Sequence, residues 1–338
     1  MPGNIVVRGD GIAALCCSRL LSQAGFHITP EAPARPKVPA LLLSETTQKL
    51  LEDVFDRSDL FDGLTRVTRR IVAWGKDPKP VALPHSAVVT SEQELINRIR
   101  QADVPALDVD SAPAGWSIFA APPLPGDAKE RHFGSRSAGV AAVKVKTSSP
   151  RAACWIESLD DGWLFLLPVA DGAWLLAVGN TVEWLLARSR LIADQLQETD
   201  PIQGGFASHP RIAESLCAPG WLACGTAALG FDPLCGDGAG QAVREAILAS
   251  AAVRAVVEGA DVDSVLAHYS SRLVAGFHRH LKLCEQFYRS GGDGLWWREQ
   301  QAATLQGVEW CQSVRIDPPK SRYRLNGFSL EAIAADHP

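Results

Sequence analysis

Residues 4–31 read NIVVRGDGIAALCCSRLLSQAGFHITPE. The β-branched run at 4–8 meets Gly9-Asp10-Gly11 and passes into a segment whose apolar residues recur at helical spacing, so the pattern is strand, tight turn, helix. Gly25 ends that helix, and FHITPE reads as a second strand closing on Glu31, although Pro30 and the following APARPKVPA blur its end. Gly9, Gly11 and Ala14, with an acid about 20 positions beyond the turn, have the spacing of a dinucleotide-binding βαβ unit with alanine in the third place. The glycines let backbone approach a pyrophosphate, and the helix N-terminus offers N–H groups and a positive dipole. Glu31 stands where an acid takes a ribose hydroxyl.

Around this unit, 338 residues that are 46% hydrophobic and 21% charged support a large core with more than one lobe. A formal charge of −5 gives no bulk attraction for nucleic acid or an anionic membrane, which leaves small molecules or proteins as partners. Eight cysteines, scattered without a C-x-x-C pair, read as reduced and mostly buried thiols rather than a metal clip or disulfide framework. With no basic, apolar leader before NIVVRGDG and no apolar run of transmembrane length, the expectation is a cytoplasmic protein.

Further along, ARPKVPALLL reads as a proline-rich loop and SETTQKLLEDVF as a helix capped near Ser44. VTRRIVAWG is a strand and SEQELINRIRQ a short amphipathic helix. From about residue 105 to 185 the pattern changes to strands, among them GWSIFAA, and RAACWIESL, GWLFLLPV and GAWLLAVG form a meander joined by DDG and ADG turns. Long helical patterns follow residue 239. Trp74, Trp155, Trp163 and Trp174 fall in the sheet region, individually core residues and collectively able to form an aromatic pocket.

The second decisive stretch is ACGTAALGFDPLCGDGAGQAVREAI at 223–247, an apolar strand, a glycine-rich turn and a helix. Such a turn presents backbone N–H groups to an anionic or electron-rich edge. A flavin, whose N1/C2 carbonyl region becomes anionic on reduction, is a ligand of that kind, with its phosphates at the turn near residue 9 and its ring near residue 236. Four stretches together resemble the flavin-dependent monooxygenase and halogenase family, of para-hydroxybenzoate-hydroxylase-like fold: GDGIAA at 9–14, GWLFLLP at 162–168, GTAALGFDPLCGDG at 225–238 and FYRSGGDGLWWREQ at 287–300. The likeness is to the tryptophan-halogenase-like branch, which includes flavoprotein hydroxylases of quinone-cofactor biogenesis.

The resemblance implies an α/β (α+β) chain: a discontinuous Rossmann-like FAD-binding domain (1–50, 80–110, 210–255), an inserted antiparallel-sheet substrate domain (51–79, 111–209) and a C-terminal helical region (256–338). It implies FAD held at Gly9, Gly11, Ala14 and Glu31, and at Gly225, Thr226, Asp232, Pro233, Gly236, Asp237 and Gly238. Trp163 and Pro168 would form the barrier between flavin and substrate. The implied chemistry is a flavin C4a-hydroperoxide that hydroxylates an electron-rich aromatic substrate, small or a tryptophan within a peptide or protein. Electrons would come from NAD(P)H or a separate flavin reductase.

Several residues depart from the family pattern. Thr226 replaces the aspartate that binds the ribityl chain, exchanging a charged contact for a neutral one. Ser91 and Glu92 stand where an arginine often begins a helix. A halogenase needs a relay lysine on the strand VTRRIVAWG; Arg69 and Arg70 are there instead, and arginine holds its proton, which favours hydroxylation and leaves Lys37 as the substitute in a halogenase alternative. The departures also motivate a third reading, a binding subunit with weakened or lost FAD binding. His132 is a candidate base, whereas His278 and His280 are expected at the surface and, two residues apart on a helix, are rejected as a metal pair.

Overall fold

The computed structural model describes residues 3–31, 35–76, 79–101, 114–126, 128–200, 204–314 and 323–333. The proline-rich residues 32–34 and the expected domain boundary at 110–111 lie outside them. In chain order the first elements are β1 (Asn4–Arg8), α1 (Ile12–Gln23), β2 (His27–Glu31), β3 (Leu41–Ser44), α2 (Glu45–Phe55), β4 (Thr65–Ala73), β5 (Val81–Thr90), α3 (Glu92–Arg100) and β6 (Ala114–Phe119). The middle contains β7 (Glu130–His132), β8 (Ser137–Val145), β9 (Ala153–Leu159), β10 (Gly162–Val169), β11 (Gly172–Gly179), α4 (Val182–Leu186), β12 (Leu196–Thr199) and β13 (Gly204–Ala207). Then come β14 (Arg211–Ala213), β15 (Cys217–Ala218), β16 (Trp221–Ala223), α5 (Gly225–Ala228) and β17 (Leu229–Gly230). Helices α6 (Gly238–Val257), α7 (Val262–Gly291) and α8 (Leu295–Ser313) precede a hairpin, β18 (Tyr323–Asn326) and β19 (Ser329–Ala332).

Two sheets organise these elements. In the first, β1 lies between β2 and β6, and β16 continues the parallel run beyond β6, with β15 turned back against β16. The βαβ reading of residues 4–31 therefore holds, and α1 packs against α6 on this sheet. The caps follow local chemistry: the Ser44 hydroxyl accepts from Thr47 N–H at the start of α2, and Ser91 does the same for Glu94 in α3.

The second sheet runs β12-β8-β11-β10-β9-β4-β5-β3, with β13 also on β8. The β9-β10-β11 meander is as the sequence predicts. Two strands sit elsewhere than expected. GWSIFAA forms β6 of the parallel sheet, and residues 81–90, expected in the nucleotide domain, form β5 between β4 and β3 of the large sheet. Long-range pairing decided both, since an alternating strand pattern does not name its sheet. LLLS, read as part of a loop, is β3.

Strand alternation gives β10 two distinct faces. Leu164 and Leu166 pack with Trp155 and Leu175 on one, while Trp163 and Phe165 face the C-terminal helices and the glycine loop. Trp297 fills the corner between α7 and α8, edge-on to Trp74 and Trp296, and its indole N–H donates to Leu159 O at 2.8 Å. No helix among the described residues is long and apolar enough to cross a membrane.

A Cβ on Gly291 would overlap the Trp297 ring. Gly291→Ala is therefore expected to destabilise the fold by about 1–3 kcal/mol through overpacking. The urea midpoint should fall with the slope of the transition unchanged; an unchanged midpoint would show that Trp297 moves aside freely.

Candidate functional site

The two glycine turns, more than 200 residues apart in sequence, meet in space. Gly225 has φ +54°, and a Cβ built there would lie 2.9 Å from Ala13 Cβ on α1 and 3.2 Å from the Ala120 carbonyl at the end of β6. Only glycine accepts that conformation and that approach without strain. Gly9, at φ +134°, likewise lies under Ala120 and Ala121.

Where the turns converge there is a cavity of about 440 Å³. Gly11, Ile12 and Ala13 border it from α1; Gly225, Thr226, Asp232, Pro233, Gly236 and Gly238 border it from the late stretch; Val140, Phe165, Leu167, Trp174 and Leu176 form its sheet wall. Both α1 and α6 begin at this cavity, at Gly11 and Gly238, and neither has a side-chain cap or an acid in its first turn. Their first N–H groups and dipoles are thus the natural partners for anionic or electron-rich atoms.

The late loop is pinned from beneath. Asp232 borders the cavity, but its carboxylate is fully buried and paired with Arg136 at 2.8 Å. The same oxygen accepts from Tyr288 Oη at 2.7 Å, the other accepts from Leu234 N–H, and Asp232 N–H donates to His280 Nε2 at 2.9 Å. Arg136 also reaches Gln300 at 2.9 Å and lies over the Tyr288 ring. Asp232 is therefore an anchor to α7 and α8. Asp237, similarly turned from the cavity, joins Thr47 of α2 to Arg244 of α6.

The other predicted site residues divide cleanly. Ala14 is packed in the core of α1, one position beyond the lining residue Ala13. Glu31 pairs with Arg8 at 2.9 Å, and its carbonyl accepts from Gly9 N–H. Trp163 is buried among Tyr288, Trp297 and Leu234, behind the wall that Phe165 and Leu167 present. Pro168 falls on the opposite face of β10 by alternation. Lys37 is ion-paired with Asp10, and no lysine occurs among the described residues bordering the cavity. Arg69 is exposed on β4, and its neighbour Arg70 instead reaches toward Gly236. Of the four sheet tryptophans, Trp174 borders the cavity.

Sequence reasoning missed three groups. Arg35, from the proline-rich segment, forms a two-pronged pair with Glu92 at the start of α3 and an ion pair with Asp10 at 3.0 Å, lying across Gly11. The guanidinium absent from position 92 thus arrives from another element. His209 borders the cavity, contacts His132 at 2.9 Å and reaches Arg136 O at 3.0 Å. His278 is buried and His280 half-buried, contrary to the surface expectation, because α7 packs against the loop and α8. The helical pattern of α7, with both faces in use, was the available signal.

Glu245 of α6 is fully buried beneath Gly225, accepting its N–H at 2.7 Å. Burial raises its carboxyl to about 8, against the lowering effect of that N–H and of Gln241. At neutral pH it is mainly the uncharged acid.

No family model matches the sequence, and no curated protein sequence matches it. Solved structures do. The flavin-dependent halogenase CmlS superposes with a TM-score of 0.74 at 18% identity, covering 93% of this chain and 71% of that one. The peptidyl tryptophan dihydroxylase QhpG, essential for tryptophylquinone cofactor biogenesis, gives 0.71 at 18%, covering 98% and 86%. The p-nitrophenol 4-monooxygenase PnpA from Pseudomonas putida DLL-E4 gives 0.68 at 16%, covering 93% and 96%. At these identities the likeness is one of fold, and the fold is the Rossmann-type α/β architecture of flavin-dependent enzymes.

Glu245 generates a pH prediction. Between its ordinary 4.5 and about 8, the folded protein keeps a proton that the unfolded chain has lost. Its contribution to stability is therefore whole below 4.5 and is lost as pH rises through 8. Glu245→Gln keeps an acceptor for Gly225 N–H and should lessen the loss of stability between about pH 5 and about pH 9 by about 2–4 kcal/mol. Parallel profiles of urea midpoint against pH would show that Glu245 is ionised in the fold.

Proposed function

We propose that this chain is an FAD-dependent monooxygenase that hydroxylates an electron-rich aromatic ring, with a tryptophan in a peptide or protein as the leading substrate class. The observation that carries the reading is the contact of the two glycine turns, Gly225 against Ala13, at a cavity onto which two uncapped helices open.

The residues present fit the cofactor. Gly11 and the start of α1 would hold the pyrophosphate, with Arg35 close enough to turn toward it. Gly236, Gly238 and the start of α6 would face the electron-rich edge of the flavin ring. Bound there, FAD would supply oxygen activation and the electrons for it, drawn from NAD(P)H or a separate flavin reductase. The chain's own part is to bind and orient. Val140, Phe165 and Trp174, with the half-exposed Phe206 at the edge, make an apolar wall against which a flat aromatic ring can stack. His209 borders the cavity with both ring nitrogens engaged, Nδ1 by Arg136 O and Nε2 by His132, so its part is to hold the wall in place.

Two features favour hydroxylation over halogenation: Lys37 is committed to Asp10, and the described cavity wall carries no lysine to relay a hypohalous acid. The likeness to a peptidyl tryptophan dihydroxylase supports a tryptophan substrate.

Thr226 donates its hydroxyl to Ala120 O at 3.3 Å and offers the cofactor no charge. Thr226→Asp is expected to tighten FAD binding roughly tenfold, the difference between a neutral and a charge-assisted hydrogen bond, read by quenching of flavin fluorescence. If neither protein binds FAD at high micromolar concentration, the flavin reading fails in favour of a binding subunit. With reduced flavin and labelled dioxygen, a tryptophan peptide should gain labelled oxygen; a bromide-dependent mass gain would mark a halogenase instead.

A further inference from the structure

Apart from the ligand cavity, one cluster of reactive side chains stands out. Cys235 closes the short turn Pro233–Cys235, between Pro233 and Gly236 of the cavity wall. Cys284 lies on α7 one helical turn after His280. The two sulfur atoms are 3.4 Å apart, Cys284 Sγ is 3.3 Å from His280 Nε2, and all three donor atoms lie within 4.8 Å of one another.

We propose that Cys235 and Cys284 are a peroxide-sensitive thiol pair, Cys235 attacking and Cys284 resolving, whose disulfide ties the loop beneath the cavity to α7. The two thiols are unequal. Hydrogen bonding from Cys284 pulls the Cys235 thiol down to about 6 against the opposing effect of burial, which favours its thiolate over that of Cys284. Burial pushes Cys284 the other way and keeps its proton on. The chain has a second close pair, Cys17 and Cys224 at 3.9 Å, but both are buried and Cys224 is held as the thiol.

A metal fits the cluster less well. It would need the Nε2 lone pair of His280, which already accepts from Asp232 N–H at 2.9 Å, and it would lie near the buried Arg136 guanidinium that pairs with Asp232. A disulfide needs neither. The sulfurs must close from 3.4 Å to about 2.05 Å.

The chemistry balances with hydrogen peroxide as oxidant. The Cys235 thiolate attacks one peroxide oxygen and displaces hydroxide, which takes up a proton to become water, leaving Cys235 as a sulfenic acid. The Cys284 sulfur then attacks the Cys235 sulfur, and hydroxide leaves with the Cys284 proton as a second water. The thiol pair loses two electrons and the peroxide gains them. The step does not depend on flavin binding.

The test treats the reduced full-length protein with hydrogen peroxide, without FAD. The expected result is loss of two of the eight thiols, a cross-link between tryptic peptides 212–244 and 283–289, and reversal by dithiothreitol. Cys235 should react about tenfold faster than the partly exposed, higher-pKa Cys217. Amide exchange in residues 233–238 should slow in the oxidised form. Cys284→Ser should stop at a sulfenic acid on Cys235 that dimedone traps, and Cys235→Ser should leave Cys284 unreactive. Oxidation of Cys217 with Cys235 untouched would overturn the proposal. So would stoichiometric zinc in the protein as isolated that shields both thiols until it is chelated.

Discussion

Everything at the cavity depends on one close approach, the backbone of Gly225 against the first turn of α1. β1 and β16 are not neighbours; β6 separates them, so their outgoing turns are held a strand apart. The gap closes because Gly225 turns through a left-handed conformation toward Ala13, a small residue, and because Ala120 follows β6 with no bulk beyond a methyl. A larger side chain at any of these positions would part the turns and split one cavity into two unconnected loops. Small residues here are thus a condition of the site's existence.

The approach fixes only one end of the late loop. The other end is held by the Asp232–Arg136 pair, buried on both sides and supplemented by Tyr288 and Gln300. A buried pair contributes little net stability against an apolar substitute, but loss of one partner leaves an unpaired charge and costs about 3–5 kcal/mol. Its effect is geometric. It makes the position of Pro233, Gly236 and Gly238 a function of where α7 and α8 sit, and Trp297 sets those helices against β9 through Leu159. The aromatic and glycine segment at 287–300 therefore acts on the cavity at a distance, as the support of its floor.

This division explains what could be read in the sequence. The βαβ unit, the meander and the glycine turn each rest on contacts among near neighbours, and each is written in a period or a spacing. Asp232 was found because its motif is local; its role changed because Arg136, 96 residues earlier, takes its carboxylate. Trp163 and Pro168 were found by motif as well, yet alternation turns Pro168 to the other face of β10, and Trp163, on the same face as Phe165, is taken up by Tyr288 and Trp297 from the late helices. The strands at 81–90 and 114–119 have no local pattern that distinguishes their sheet from the meander's, so their partners emerge only in the folded chain.

Arg35 brings to the α1 turn a guanidinium that position 92 lacks. Position 92 has the opposite charge from the one the family pattern favours, and that alone would argue against an anion at the α1 turn. In the folded chain the acid recruits a guanidinium from the proline-rich segment, and Asp10 recruits Lys37. Two acids and two bases leave the rim neutral overall, in a half-buried setting where charges are only partly screened. An anion entering here would meet the uncapped N-terminus of α1 and a guanidinium held by Glu92, Asp10 and Pro36 O, with one N–H left over. What the sequence shows as a lost arginine is an arginine relocated to the loop that covers the turn.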